Sequence, residues 1–215
     1  MSLILRKSIS IGRPERNLRD DRVFVVASED SYAPKQYFEA LRLPRVKVIV
    51  LPTPTDTCES APSHVVDRLR IAYDDVRNKG QIQEGDEFWV MLDTDHHVDG
   101  THLRGTMTAL KEARQKGFEL AISNPCFEVW LLLHHLDIPV DTVFGKSADA
   151  ETMLRKTLGS YNKTAIKAEH FPLSKVRDAV RRARALESNP DNPEGHWPSN
   201  TGTRVYRLME RVMKE

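Results

Sequence analysis

The chain contains few cysteines and no long apolar segment. Cys58 and Cys126 are the two cysteines among 215 residues, and neither lies in a C-x-x-C pair, so a disulfide framework or a structural zinc site is not expected. No run approaches the roughly 18 apolar residues that a membrane-spanning helix needs. The apolar run at the start of the sequence ends at charged residues after a few positions, so it is too short for a secretory signal. We therefore expect a cytoplasmic protein without a membrane partner.

Two common nucleotide-binding motifs are also missing. The sequence has neither a G-x-x-x-x-G-K-[ST] phosphate loop nor a G-x-G-x-x-G fingerprint, which argues against the enzyme classes that depend on them. The net charge is only +1, from 32 Lys plus Arg and 31 Asp plus Glu. A near-zero net charge provides no strong global attraction for polyanions, so any contact with nucleic acid must be local.

The pattern that is present alternates short β-branched runs with amphipathic segments. Apolar runs at 23–27, 46–51, 87–92 and 118–123 predict strands, and the segments after them have helical spacing. This order predicts an α/β fold with an open, mainly parallel sheet of about four strands covered by helices. The last part of the chain predicts helices alone, near 149–158, 174–186 and 203–213.

We expect three regions along the chain. Residues 1–22 carry six basic and three acidic residues without a periodic apolar face, which indicates a basic N-terminal arm. Residues 23–136 form the α/β catalytic domain, and residues 137–215 form a helical C-terminal extension packed on it.

Carboxylates follow two of the predicted strands. Glu29 lies two residues after the first strand, and Asp93 and Asp95 directly follow the third. The carboxyl ends of parallel strands meet at one edge, and residues two apart in extended chain point to the same side. Oxygen ligands suit Mg²⁺ or Mn²⁺, the cofactors that we expect here for phosphoryl-transfer chemistry. Alternatively, the D-x-D pair simply caps a loop or the next helix.

These residues resemble a known family. Residues 28–38, S-E-D-S-Y-A-P-K-Q-Y-F, together with Asp93-Thr-Asp95, are similar to the Toprim catalytic domain. Residues 123–134, S-N-P-C-F-E-V-W-L-L-L-H, narrow the resemblance to the RloB-like family, which is related to a component of AbiL abortive-infection systems. The tail resembles it too, through Y-N-K at 161–163, W-P at 197–198 and T-x-V-Y-x-L at 203–208.

The resemblance implies a metal-dependent nuclease of bacterial anti-phage defence that acts on DNA or RNA, often beside an ATPase partner. It implies that Glu29 is a general acid/base or metal ligand and that Asp93 and Asp95 are metal ligands. The chain departs from the family motif at Asp30, Ala33 and Pro34, which stand where the family has glycine, threonine and a second glutamate.

Further site residues are predicted around this trio. Glu128 lies in a strongly apolar segment, where a carboxylate is costly unless it is bound. We expect it to point into the crevice as a replacement metal ligand for the acid lost at Pro34, although pairing with the helix dipole would also explain it. Lys163 matches a family lysine and is predicted to stabilise charge in the transition state. His96 and His97 follow the carboxylates, where solvated loop positions are the more ordinary interpretation.

One helix could contact nucleic acid. Arg177, Arg181 and Arg184 form a stripe on the predicted helix 174–186, and such a stripe could follow a phosphate backbone or simply be a solvated face. Two rival functions stay open for the whole chain. One is a non-catalytic partner or sensor subunit that keeps a cation site, which Pro34 favours, and the other is a fragment of a Toprim primase or topoisomerase. The sequence does not decide the oligomeric state.

Overall fold

The computed structural model describes residues 21–56, 59–95, 102–188 and 195–214. Most of the predicted basic arm, Cys58, and His96 with His97 lie outside these ranges. Within the described residues, no helix combines the length and the apolar character that crossing a membrane requires.

A five-stranded sheet forms the centre of the fold, in the order β2-β1-β3-β4-β5. Its first four strands are parallel to their neighbours, and β5 runs antiparallel to β4. The bounds are Arg22–Ser28 for β1, Val46–Leu51 for β2, Glu87–Asp93 for β3, Glu119–Asn124 for β4 and Gly202–Thr203 for β5. The predicted α/β fold with an open, mainly parallel sheet is confirmed, with one short strand more than expected.

Seven α-helices surround the sheet. They are α1 Ala33–Ala40, α2 Pro62–Asn78, α3 His102–Gln115, α4 Glu128–Leu132, α5 Ser147–Leu158, α6 Val176–Glu187 and α7 Val205–Val212. Several of their bounds differ from the prediction by a few residues. The segment after Leu132 continues in hydrogen-bonded turns, so α4 is only five residues long. The N-terminus of α5 lies two residues earlier than expected because Asp149 accepts hydrogen bonds from the backbone of Gly145 and Lys146.

Each face of the sheet packs against its own layer of helices. Alternate residues of β1 and β3, such as Phe24 and Met91, pack with α1, α4 and the C-terminal helices. The residues between them, such as Val25 and Val90, pack with α2 and α3. Both faces are therefore buried, as a parallel sheet requires. The C-terminal helices share one continuous core with the sheet, and β5 extends the sheet itself.

The strand order creates a crevice between β1 and β3. The chain first runs from β1 to β2, which lies on one side of β1. It then runs from β2 to β3, which lies on the other side of β1. Such a reversal of strand order leaves a crevice beyond the carboxyl ends of the two central strands, where open α/β sheets bind ligands. Glu29 and Asp93 lie at those two ends.

His134 is a buried histidine that is expected to make the fold sensitive to acid. Its Nδ1 donates to the carbonyl of Trp130 at 3.0 Å, so its Nε2 accepts from the hydroxyl of Tyr37 at 3.1 Å. Its pKa is lowered to about 4, mainly by burial and further by the nearby groups His135, Lys175 and Arg182, while the bond to Trp130 acts in the opposite direction. The native state therefore stays unprotonated there while the unfolded chain takes up a proton below its usual pKa near 6.5.

The predicted result is a loss of stability as the pH falls from 6.5 towards 4. Between pH 7 and pH 5 this histidine alone should lower the free energy of unfolding by about 2 kcal/mol. In urea titrations, the free energy of unfolding of His134→Gln should fall correspondingly less over that pH interval than that of the wild type. His64→Gln, at an exposed position, should behave like the wild type. An NMR titration of His134 with a midpoint near 6.5 would contradict this account.

Candidate metal centre

Glu29 and Asp93 lie side by side because β1 and β3 are neighbouring strands. Ser28 is in register with Met91, and the amide of Glu29 continues the ladder with a 3.1 Å hydrogen bond to the Met91 carbonyl. The Glu29 carboxylate then accepts a 3.1 Å hydrogen bond from the backbone amide of Asp93. It therefore spans the gap between the two strand ends.

Asp95 is held just beyond β3 by a turn and by a side chain from the C-terminal region. Thr94 is buried, its amide donates to the carbonyls of Ser123 and Pro125, and its hydroxyl donates to the Asn124 side chain at 3.0 Å. The Asp95 carboxylate accepts a hydrogen bond from the Ser147 hydroxyl at the start of α5. Thr94 thus faces inwards, and Asp95 is fixed by a residue that is 52 positions away.

Glu128 is almost fully buried, with 2% of its surface exposed. Its Oε1 accepts a 2.9 Å hydrogen bond from the Tyr161 hydroxyl. Burial raises the pKa of its carboxyl group, although hydrogen bonds from Cys126 and Tyr161 and the charge of Lys163 act in the opposite direction. The carboxylate therefore has a defined hydrogen-bonding and charged environment within an otherwise apolar segment.

Asp93 lies within electrostatic reach of the other acids. Its pKa is raised well above the usual value, first by burial and then by the negative charges of Glu29, Glu128, Asp30 and Asp95. Like charges that converge in this way raise one another's pKa and are costly unless a cation joins them. The four predicted acidic ligands are thus brought into electrostatic contact, and Asp30 joins them.

Lys163 reaches this crevice through Asp30. Its Nζ lies 3.1 Å from Asp30 Oδ2, whose side chain is 8% exposed, while Asp30 Oδ1 accepts from the amides of Tyr32 and Ala33 at the start of α1. Burial by itself lowers the pKa of Lys163, but Asp30 and Glu128 outweigh it and raise the pKa. Lys163 therefore stays positively charged beside the acids.

The loop that carries Tyr161 and Lys163 is fastened to α1 by Gln36. The Gln36 side-chain amide donates to the Lys163 carbonyl at 3.1 Å and accepts from the Ile166 amide at 2.9 Å. Sequence reasoning did not assign Gln36, Ser147, Tyr161 or Asp30 to the site. Tyr161 lay in a motif that matched the family, and Asp30 was noted only as a departure from it, whereas no sequence signal marked Gln36 or Ser147.

The donor set of the crevice suits a hard divalent cation. It consists of carboxylate oxygens whose mutual repulsion a cation would relieve, and Mg²⁺ and Mn²⁺ take such ligands together with water and substrate oxygens. Within the described ranges, no three His, Cys, Asp or Glu side chains are already arranged around a single ion. Waters and substrate oxygens would therefore have to complete the coordination shell.

The arginine stripe on α6 lies apart from this crevice. Arg177, Arg181 and Arg184 are exposed, opposite the buried Val176 and Ala183. Two of the three have acidic partners: Arg181 lies 3.6 Å from Asp137 and 3.9 Å from Asp178, and Arg184 pairs with Glu210. No hydrogen bond or ion pair among the described residues links the stripe to the crevice carboxylates, so its role in binding nucleic acid stays a prediction.

Comparison with known proteins identifies the family. The model of the family described as RloB-like protein matches residues 24–212, which covers both the sheet and the C-terminal helices. No curated protein and no solved structure matches the chain. The residues that build the crevice, from Glu29 to Lys163, all lie within the matched range, and the chain belongs to the RloB-like protein family.

Proposed function

We propose that this protein is a Mg²⁺- or Mn²⁺-dependent, Toprim-type nuclease that cleaves phosphodiester bonds of DNA or RNA. The observation that carries the proposal is the convergence of Glu29, Asp95 and Glu128 on Asp93 at the β1–β3 crevice, where burial and then the neighbouring charges raise the pKa of Asp93. The resemblance of the sequence motifs to defence nucleases supports a role in bacterial anti-phage defence, with an ATPase as a possible partner.

Each residue has a defined task in this proposal. Asp93, Asp95 and Glu128 would hold the divalent cation, which would supply an activated water and charge stabilisation for phosphodiester cleavage. Glu29, which is fixed by the Asp93 amide, accepts or returns a proton at its carboxylate. Lys163, kept positively charged by Asp30, stabilises the negative charge that develops on the phosphate.

A non-catalytic subunit that keeps a cation site is the second candidate. Two observations favour it: Pro34 removes one acid of the family motif, and four crevice carboxylates already have donors, including Glu29 with the Asp93 amide. The other three pairs are Asp95 with Ser147, Glu128 with Tyr161 and Asp30 with Lys163. A protein of this kind would bind Mn²⁺ without cleaving any polynucleotide.

A cleavage assay on end-labelled single- and double-stranded DNA and RNA separates the two candidates. We expect cleavage with Mn²⁺ or Mg²⁺ and none with EDTA. Lys163→Met should lower the rate by about 10- to 100-fold without weakening Mn²⁺ binding, because Lys163 acts on the phosphate and not on the metal. Lys79→Met is the matched control, since Lys79 pairs with Asp75 on the exposed face of α2. Mn²⁺ binding with no cleavage of any substrate would favour the non-catalytic candidate.

A further inference from the structure

Arg68 lies beside the crevice on the side opposite Lys163. It belongs to α2, and its Nη2 donates to the carbonyl of Ser28 at 2.9 Å and to the Thr53 hydroxyl oxygen at 2.9 Å. Thr53 in turn donates to the same Ser28 carbonyl at 3.1 Å. Ser28 immediately precedes Glu29, so the guanidinium group is fixed one residue away from a proposed active-site carboxylate.

The charge of Arg68 lacks a direct acidic partner within the described part of the chain. No carboxylate there lies within ion-pair distance of it, and its buried Nε has no acceptor among the described residues. Burial lowers the pKa of Arg68, and the more distant charge of Glu59 opposes this shift. Arg70, two residues further along the same helix, instead lies 3.0 Å from Asp67 and 3.7 Å from Asp74.

The Arg68 guanidinium group is half-buried, held in position and without an ion-pair partner among the described residues, and such a group is well placed to bind a phosphate. Its planar set of N–H donors matches phosphate oxygens, and an anionic ligand would balance a charge that is costly to bury alone. Nη2 is already engaged by two protein oxygens, which fixes the orientation of the group and leaves other donors for a ligand. Lys163 provides a second positive charge on the α1 side of the crevice, where it pairs with Asp30.

We propose that Arg68 binds a backbone phosphate of the polynucleotide next to the phosphate that is cleaved. The strand would then cross the carboxyl ends of β1 and β3 from the Lys163 side to the Arg68 side. This proposal rests on the proposed nuclease function for the identity of its ligand, but it concerns binding and not the chemical step.

The test is fluorescence anisotropy with labelled single-stranded DNA and RNA oligonucleotides in EDTA, where cleavage does not contribute. Arg68→Met should weaken binding by about tenfold and reduce the slope of log affinity against log salt by about 0.7, as expected for one phosphate contact on a single strand. Arg68→Lys should lose less affinity than Arg68→Met, because lysine keeps the positive charge although it lacks the planar set of N–H donors. Arg70→Met is the matched control and should bind like the wild type.

A second variant distinguishes the loss of a phosphate contact from the loss of the fold. Thr53→Val removes one acceptor of the guanidinium but keeps the charge, so it should weaken binding less than Arg68→Met does, with unchanged circular dichroism. Equal affinity and salt slope for wild type and Arg68→Met would overturn the proposal, as would a wild type that binds no oligonucleotide. If Arg68→Met weakened the binding of inorganic pyrophosphate but left oligonucleotide binding unchanged, the proposal would also be overturned.

The outcomes for Arg68 and for the nuclease activity can be told apart. Loss of oligonucleotide binding in Arg68→Met, in a protein that cleaves nothing, would support the phosphate site and contradict the nuclease. Metal-dependent cleavage with unchanged binding and unchanged kcat/KM in Arg68→Met would support the nuclease and remove Arg68 from the phosphate path.

Discussion

Replacing Glu128 by glutamine is expected to abolish Mn²⁺-dependent cleavage while the protein stays folded. Glutamine has nearly the same shape, and its carbonyl can still accept the hydrogen bond from Tyr161. The negative charge that would hold a cation is lost, and the cost of burying that charge is lost with it. We expect the cleavage rate to fall by at least about 100-fold, the scale on which a single group of a preorganised site acts. The measurement is single-turnover cleavage together with thermal unfolding.

The Tyr161→Phe variant distinguishes a metal ligand from a purely structural acid. It removes the hydrogen bond to Glu128 but leaves the carboxylate in place, so it should retain part of the Mn²⁺-dependent activity. If Glu128→Gln cleaves at the wild-type rate, Glu128 is not a ligand, and the acid lost at Pro34 has no replacement there. If both variants unfold at lower temperature and lose activity in parallel, the Glu128–Tyr161 pair acts through the fold alone.

The Asp93→Asn variant is expected to be more stable than the wild type without metal and less stable with it. In EDTA, burial and four neighbouring carboxylates make a charge on Asp93 costly, and asparagine avoids that cost. The melting temperature should rise by a few degrees, since about 1 kcal/mol corresponds to roughly 2–4 °C in a chain of this size. In saturating Mn²⁺ the order should reverse, because metal binding stabilises only the protein that retains the site.

Differential scanning calorimetry in EDTA and in Mn²⁺ gives both comparisons. Asp74→Asn, on the exposed face of α2, changes the same net charge outside the crevice and should respond to Mn²⁺ like the wild type. A lower melting temperature for Asp93→Asn in EDTA would mean that the Asp93 carboxylate supports the fold without metal, which contradicts the cost of burying that carboxylate among like charges.

Sequence patterns were sufficient for the parts of the fold that depend on local periodicity. The four parallel strands follow from β-branched runs, and Glu29, Asp93 and Asp95 were identified because they lie at or just after the ends of those runs. The sequence did not indicate that β1 and β3 are neighbours, which brings the Glu29 carboxylate to the Asp93 amide. Strand order depends on how the helices pack on the sheet, and no local pattern records it.

The contacts that hold the site could not be predicted, because they join distant segments. The hydrogen bond of Tyr161 with Glu128 joins residues 33 apart, and the Gln36 bonds span 127 and 130 positions. The strand β5 has only two residues, too few for an alternating pattern. Asp30 was noted only as a departure from a motif, although an aspartate shortly before a helix is a common cap; its pairing with Lys163 depends on the tertiary fold.

Calorimetric titration of Mn²⁺ into the wild type and into the Asp93→Asn/Asp95→Asn double variant tests the central claim most directly. The claim is that the carboxylates at the β1–β3 crevice form a divalent-cation site. We expect weak but measurable binding by the wild type and at least a tenfold loss of affinity in the double variant, which removes two of the anionic oxygen ligands that such a cation prefers. Equal Mn²⁺ binding by both proteins, with both folded, would contradict the metal assignment and the proposed nuclease with it.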